Sequence, residues 1–427
     1  MEDLKNILIR NVTIIDSQSQ YNGTKKDILI KDGFIKEIGT NIQFSDPFFE
    51  TDFPNLHISP GWLDLHSRIG EPGREHRETI ETGLNSAAKG GFTGIVSMPD
   101  TKPPIENKTD IIFLIKKSMH HIVDVLPTGC ITKGCQQQEI TEMFEMYKHG
   151  AVAFTDDKKT IQNAMLMNIA LEYVKNFNGL IMSSCLDKNI NKFGQINEGI
   201  ISTQTGLSPS PELAETLIIL RDLEILKYTQ SKLHISNIST TESVKLIKKA
   251  KKEKLNISTN VAAHQIILSE ENFNNFDTNL KVIPPLRDEK TRQALIKGII
   301  DGTIDAISSD HTPIESERKK CEFALAKFGI IGLETVFPII NTMLNKKIEL
   351  SKIIDLICLN PRKILGLPVT KIEVGEYANM TLFNPAQKWT YSNNDIASMS
   401  KNTPFINYEF IGKPIGIINK SKIQINN

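Results

Sequence analysis

From residue 60 to about 365 the sequence repeats one local unit, a short β-rich run followed by a helical stretch. The runs fall at 61–66, 93–98, 122–129, 151–155, 180–184, 232–236, 256–261 and 304–309. Strands that alternate with helices are joined by crossovers, which makes their sheet parallel and buries both of its faces. Eight such units in roughly 300 residues predict an α/β protein built on a (β/α)8 barrel. Helix starts are also legible. Ser210 precedes Pro211 as N-cap and first helical residue of a helix over 211–228. Ser239-Thr240-Thr241-Glu242 has the spacing of a capping box.

The two ends of the chain read differently. Ile7 to Ile15, Asp27 to Lys31 and Phe34 to Ile38 are short strand-like runs, with Asp32-Gly33 as a hairpin signal. Strand character returns at Tyr377 to Phe383 and Ile406 to Ile425. Segments 1–57 and 366–427 are therefore expected to build a small β-sandwich-like domain beside a barrel of 58–365. Lys248 to Lys254 reads as a solvated helix end.

Charge and cysteine content exclude several classes. Lysine plus arginine and aspartate plus glutamate both total 50, so no net field points to nucleic acid or an anionic membrane. No apolar stretch approaches the roughly 20 residues that span a bilayer. Met1-Glu2-Asp3-Leu4-Lys5 lacks the order of a secretory signal. The five cysteines, Cys130, Cys135, Cys185, Cys321 and Cys358, are an odd number without a Cys-x-x-Cys pair. They read as reduced thiols of a cytoplasmic protein. Cys130 and Cys135 lack the second ligand pair of a zinc ribbon.

In a barrel of this kind chemistry sits at the carboxyl ends of the strands. The first of them runs Asp64-Leu65-His66-Ser67-Arg68. A His-x-His ending would set two imidazoles on one face. Arg68 holds the second position, and a guanidinium has no lone pair to donate and keeps its charge. It repels a dication.

Longer stretches carry a resemblance. Pro60 to His66, Glu71-Pro72-Gly73-Arg74-Glu75-His76, Glu78 to Gly83, Gly90-Gly91-Phe92-Thr93, Asp301 to Asp305, Phe328 to Thr335 and Lys401-Asn402-Thr403-Pro404-Phe405 are similar to dihydroorotases of the amidohydrolase superfamily. The resemblance is to the type associated with aspartate carbamoyltransferase; allantoinase and hydantoinase match less well. It implies two zinc ions that activate a hydroxide for attack on a ring amide, and a strand-eight aspartate that shuttles the proton. On this sequence the implied metal positions are His66, Arg68, Asp157, Ser184 and Asn237, with Asp310 as the proton shuttle, idle here. Three of the metal positions are substituted. The implied substrate positions are substituted at Gly70, Asp100, Ile283 and Ile314 and retained at Phe328 and Gly329.

These readings lead to a set of expectations. His66 takes a structural hydrogen-bonding role, and Arg68 supplies a cation in place of metal, pairing with Asp157 or Asp310 through a bidentate contact. His234, three residues before Asn237, points away from the site as a wall residue, and His264 is structural. His311 faces the other side, His120-His121 lies at the surface, and Cys185 is a buried thiol. The expected function is a non-catalytic dihydroorotase homologue of pyrimidine synthesis, a scaffold for aspartate carbamoyltransferase in a homo- or hetero-oligomer. Zinc is expected only if the site is active. The rivals are a cyclic-amide hydrolase with a reduced metal site, converting dihydroorotate to N-carbamoyl-aspartate, and a small-molecule-binding protein in which Asp100 and Arg68 receive a zwitterion or cation.

Overall fold

The computed structural model describes residues 6–45, 48–51, 53–273 and 275–426; the leading Met1 to Lys5 segment lies outside the described residues. Eight parallel strands follow one another round a barrel in chain order: Trp62–Ser67, Phe92–Ser97, Asp124–Gly129, Ala153–Phe154, Ile181–Ser184, Leu233–Ser236, Ile257–Ala262 and Ala306–Ser308. Every expected run yields a strand. A parallel bridge between Ser67 and His311 joins the last strand to the first, helped by Arg68 N donating to His311 O at 2.9 Å. In the first strand all six side chains are buried. Leu63 and Leu65 pack with Val96 and Met98, which leaves Asp64 and His66 for the opposite face.

Two helix starts differ from expectation. The helix Leu213–Thr229 begins after Glu212 without a side-chain cap, because Ser210 pairs instead with Asn197 in a short parallel bridge. The helix Thr241–Lys252 is capped by Thr240, whose side chain accepts from Ser243 N. Ser239 is diverted to the buried carboxylate of Glu215, accepting no cap bond and donating its own N–H at 2.9 Å. The buried carboxylate needs donors, and Thr240 takes over the cap so that Ser239 is left to supply them.

Both chain ends meet in one sheet. Its order is Lys422–Ile425, Glu409–Asn419, Met380–Thr390, His57–Pro60, Asn6–Ile14, Lys25–Lys31 and Phe34–Gly39, with Phe49–Thr51 also paired to Asn6–Ile14. Asp32 and Gly33, at φ 51° and 79°, make the two-residue hairpin turn. Trp62 ties sheet to barrel. Its ring centroid lies 4.7 Å from Phe337 and 5.5 Å from Phe383, and its indole N–H donates to Ser59 Oγ at 2.9 Å. Among the described residues no helix is long and apolar enough to cross a membrane.

Candidate active site: a cation-filled barrel mouth

The strand ends converge on a buried chain of charges. His66 lies between two carboxylates, its Nε2 3.0 Å from Asp157 Oδ1 and its Nδ1 3.1 Å from Asp310 Oδ1. Arg68 donates to Asp157 Oδ2 from Nε at 2.6 Å, with Nη2 2.5 Å from the same oxygen. Both nitrogens meet one oxygen because His66 holds the other, so the contact is not the two-oxygen fork expected from sequence. Lys158 Nζ sits 2.9 Å from Asp310 Oδ2, and Asn237 Nδ2 donates to Asp310 Oδ1 at 3.2 Å. Each carboxylate thus has one long cationic side chain on one oxygen and the imidazole on the other.

Asp157, Asn237 and Asp310 share a backbone device. All three have left-handed φ, at 52°, 53° and 48°, a conformation that Asn and Asp adopt more readily than other non-glycine residues. Each turns its side chain back over the mouth just after its strand ends. Strand alternation fails at such a turn, and this corrects the reading of His234. Its Nε2 contacts Asn260 Oδ1 at 2.9 Å, and Asn260 Nδ2 donates to Asn237 Oδ1 at 2.7 Å. His234 therefore supports Asn237 from below rather than pointing away from it.

Electrostatics follow from this packing. Burial opposes charge on His66, but a hydrogen bond to Asp157 and attraction from both Asp157 and Asp310 override it and raise its pKa to about 9. Burial alone would raise both carboxyls; Arg68 and His66 hold Asp157 well below its ordinary value, and Lys158 and His66 do so for Asp310. Lys158 is lowered by burial, with the attraction of Asp310 in partial compensation.

Lys158 escaped the sequence reading. Its signal was a lysine directly after the carboxylate pair Asp156-Asp157, and only proximity to Asp310, 152 residues away, gives it meaning. Ser184 lines a small cavity with Lys158, Asn237 and Ile283. His264 is buried beside this group and has neither ring nitrogen hydrogen-bonded. His311 is turned to Glu78, 3.4 Å from its Nε2. His121 reaches Asn85 while His120 is exposed. Burial pushes the Cys185 thiol up.

Outside this centre lies a cleft of about 340 Å³, bordered by Arg68, Gly70, Arg74, Asp100, Ile314 and Phe328. Asp100 is not free to receive a cationic ligand. Arg74 grips it with two parallel bonds, Nη1 to Oδ2 at 2.9 Å and Nη2 to Oδ1 at 3.1 Å. Ile314 is fixed by its N–H to Asn402 Oδ1 at 3.0 Å, and Gly329 by its N–H to Lys281 O at 2.9 Å.

Comparison with known proteins places the chain in a family. A family model described as dihydro-orotase-like matches residues 56–243. A dihydroorotase of Caldicellulosiruptor saccharolyticus is 42% identical over 405 residues, covering 94% of each chain. The chain belongs to the dihydroorotase family. A second dihydroorotase, from Thermoanaerobacter sp., is 40% identical and covers 93% of this chain and 92% of its own. In fold, the L-hydantoinase (dihydropyrimidinase) of Arthrobacter aurescens superposes with a TM-score of 0.85 at 21% identity, covering 99% of this chain and 97% of that one.

For a member of the dihydroorotase family, the donor set here does not fit a pair of zinc ions. Asp157 and Asp310 already direct their lone pairs at a guanidinium, an ammonium and an imidazole. A dication at either carboxylate would face Arg68 or Lys158 at contact distance, and Ser184 and Asn237 are poor zinc donors. Gly70 has no room for a side chain: a Cβ there would stand 2.4 Å from Arg74 O and 2.7 Å from Glu78 O. Gly70→Ala is therefore expected to displace this loop and lower stability by about 1–3 kcal/mol, the range for overpacking a filled site. Urea titration checks it, and an unchanged midpoint and slope would count against the close packing.

Proposed function

We propose that this chain is a non-catalytic dihydroorotase homologue that serves pyrimidine biosynthesis as a structural partner. The observation that supports this most is the closed charge chain Arg68–Asp157–His66–Asp310–Lys158, in which protein cations use the carboxylate oxygens that a metal would need. Hydrolysis of a cyclic amide at neutral pH calls for a metal-activated water. Asp310, tied to Lys158 and His66 and held below its ordinary pKa, is a poor proton acceptor for that reaction. The buried thiols agree with a reducing, cytoplasmic location.

Purified protein is expected to retain no zinc above background and to show no dihydroorotate hydrolysis, with or without added zinc. Dinuclear zinc content, or turnover above a no-enzyme control, would establish the rival reading of an active hydrolase. The partner is taken from the family resemblance: aspartate carbamoyltransferase, in a mixed oligomer. Co-expression followed by size-exclusion chromatography should yield a joint peak. Separate elution at micromolar concentration would remove the scaffold role and leave a free-standing homologue.

A further inference from the structure

The described residues contain a thiol pair that the charge chain does not use. Cys130 directly follows the third barrel strand, and Cys135 ends the single turn Lys133–Cys135. Left-handed backbone at Gly134 and Cys135, φ 60° and 51°, folds that turn back and places the two Sγ atoms 2.8 Å apart. Left-handed backbone is uncommon for cysteine. Here it is fixed by Cys130 N donating to Ile105 O, Cys135 N to Thr132 O, and Gln137 N to the Thr132 hydroxyl. Loop and thiols are thus held as one preformed unit.

Two chemistries compete for the pair. With Asp156 the thiols form a cluster whose donor atoms lie within 4.8 Å of one another, which invites a metal ion. Two zinc–thiolate bonds of about 2.3 Å at a tetrahedral angle hold their sulfurs roughly 3.8 Å apart, wider than this pair. Asp156 is also engaged: Oδ1 accepts from Ile131 N at 2.8 Å and Thr132 N at 3.0 Å, and Oδ2 accepts from the Thr132 hydroxyl. A covalent link between the sulfurs needs no further ligand and only a small approach.

We propose that Cys130 and Cys135 form a reversible disulfide by exchange with a small-molecule disulfide such as oxidised glutathione. Cys135 reacts first. It is 5% exposed against 0% for Cys130, and exposed Lys133 and Gln136 flank it in the turn. Its thiol loses a proton to water, the thiolate attacks one sulfur of the small disulfide, and that S–S bond breaks to release one thiol. The Cys130 sulfur then attacks the Cys135 sulfur, its proton passing to the departing thiolate, and the second thiol is expelled. The protein pair is oxidised by two electrons and the small disulfide is reduced by two. The closed ring contains Ile131 and Thr132, whose N–H groups hold Asp156 beside Asp157. The oxidised form therefore fixes the loop that backs the barrel mouth.

The test uses the full chain carrying Cys321→Ser, which removes the one cysteine that is not buried. Folded protein is incubated with oxidised glutathione, quenched in acid, denatured and alkylated with N-ethylmaleimide. The reduced protein should take a label on each of Cys130, Cys185, Cys135 and Cys358. The oxidised protein should lose the labels on Cys130 and Cys135 only, with a crosslinked peptide that dithiothreitol reverses. Full labelling after incubation, a persistent glutathione adduct on Cys135, or stoichiometric zinc bound through the pair would overturn the proposal. Adding Cys135→Ala should leave Cys130 fully labelled before and after oxidant. Loss of its label there would place the chemistry elsewhere.

Discussion

Arg68→Ala is expected to destabilise the protein by about 3–5 kcal/mol, the cost of removing one partner from a buried ion pair. Asp157 is 2% exposed with Arg68 in place, so removing the guanidinium leaves its Oδ2 without its cationic partner at the base of the cleft. His66 remains on Oδ1 but is shared with Asp310. The loss should therefore be far larger than that of an exposed pair such as Lys245 and Glu242. Urea unfolding of the single variants Arg68→Ala and Asp157→Asn, and of the double variant, measures the coupling directly. A double variant much more stable than the sum of the two losses is the expected result. Additive losses, or an Arg68→Ala protein as stable as the parent, would show that Arg68 is not the counter-charge of the barrel mouth, and with it would go the main support for the non-catalytic reading.

Alkaline pH is expected to erode stability by about 3 kcal/mol between pH 6.5 and 9, through His66 alone. Its folded pKa of about 9 lies above the ordinary value of 6.5, and each pH unit between those two values corresponds to about 1.4 kcal/mol. Because the folded value is raised, the stabilisation is complete below 6.5 and is lost as pH rises through the folded pKa. The carboxylates act at the other end of the scale. Asp157 and Asp310 are held below their ordinary values, so their contribution is present above the unfolded pKa and disappears only on strong acidification. Unfolding free energies across this range should fall toward alkaline pH in the parent protein. His66→Gln, which cannot titrate, should flatten that limb. A parent curve level from pH 6.5 to 9 would mean that His66 is not held as an imidazolium between the two acids.

The barrel was readable from local pattern because each βα unit carries its own signal. Trp62 to Ser67 and Phe92 to Ser97 are short runs buried on both faces, and helical stretches of regular period lie between such runs. Pairing order then follows from short right-handed crossovers, so eight units leave little choice of topology. The helix caps were less secure. Ser239 sits one residue before the real cap because Glu215, on another helix, claims it.

At the mouth, residue types were legible and their relations were not. Arg68 announced by its chemistry that it is no metal ligand, since no environment gives a guanidinium a lone pair. Lys158, the Arg74 grip on Asp100 and the support of Asn237 by His234 had no comparable mark. Each depends on a distance between side chains far apart in sequence, or on a left-handed residue that ends strand alternation. Composition and periodicity report which groups are available and which face of an element is buried. They do not report where a chain turns at a strand end, and a turn of one residue decides which charge meets which.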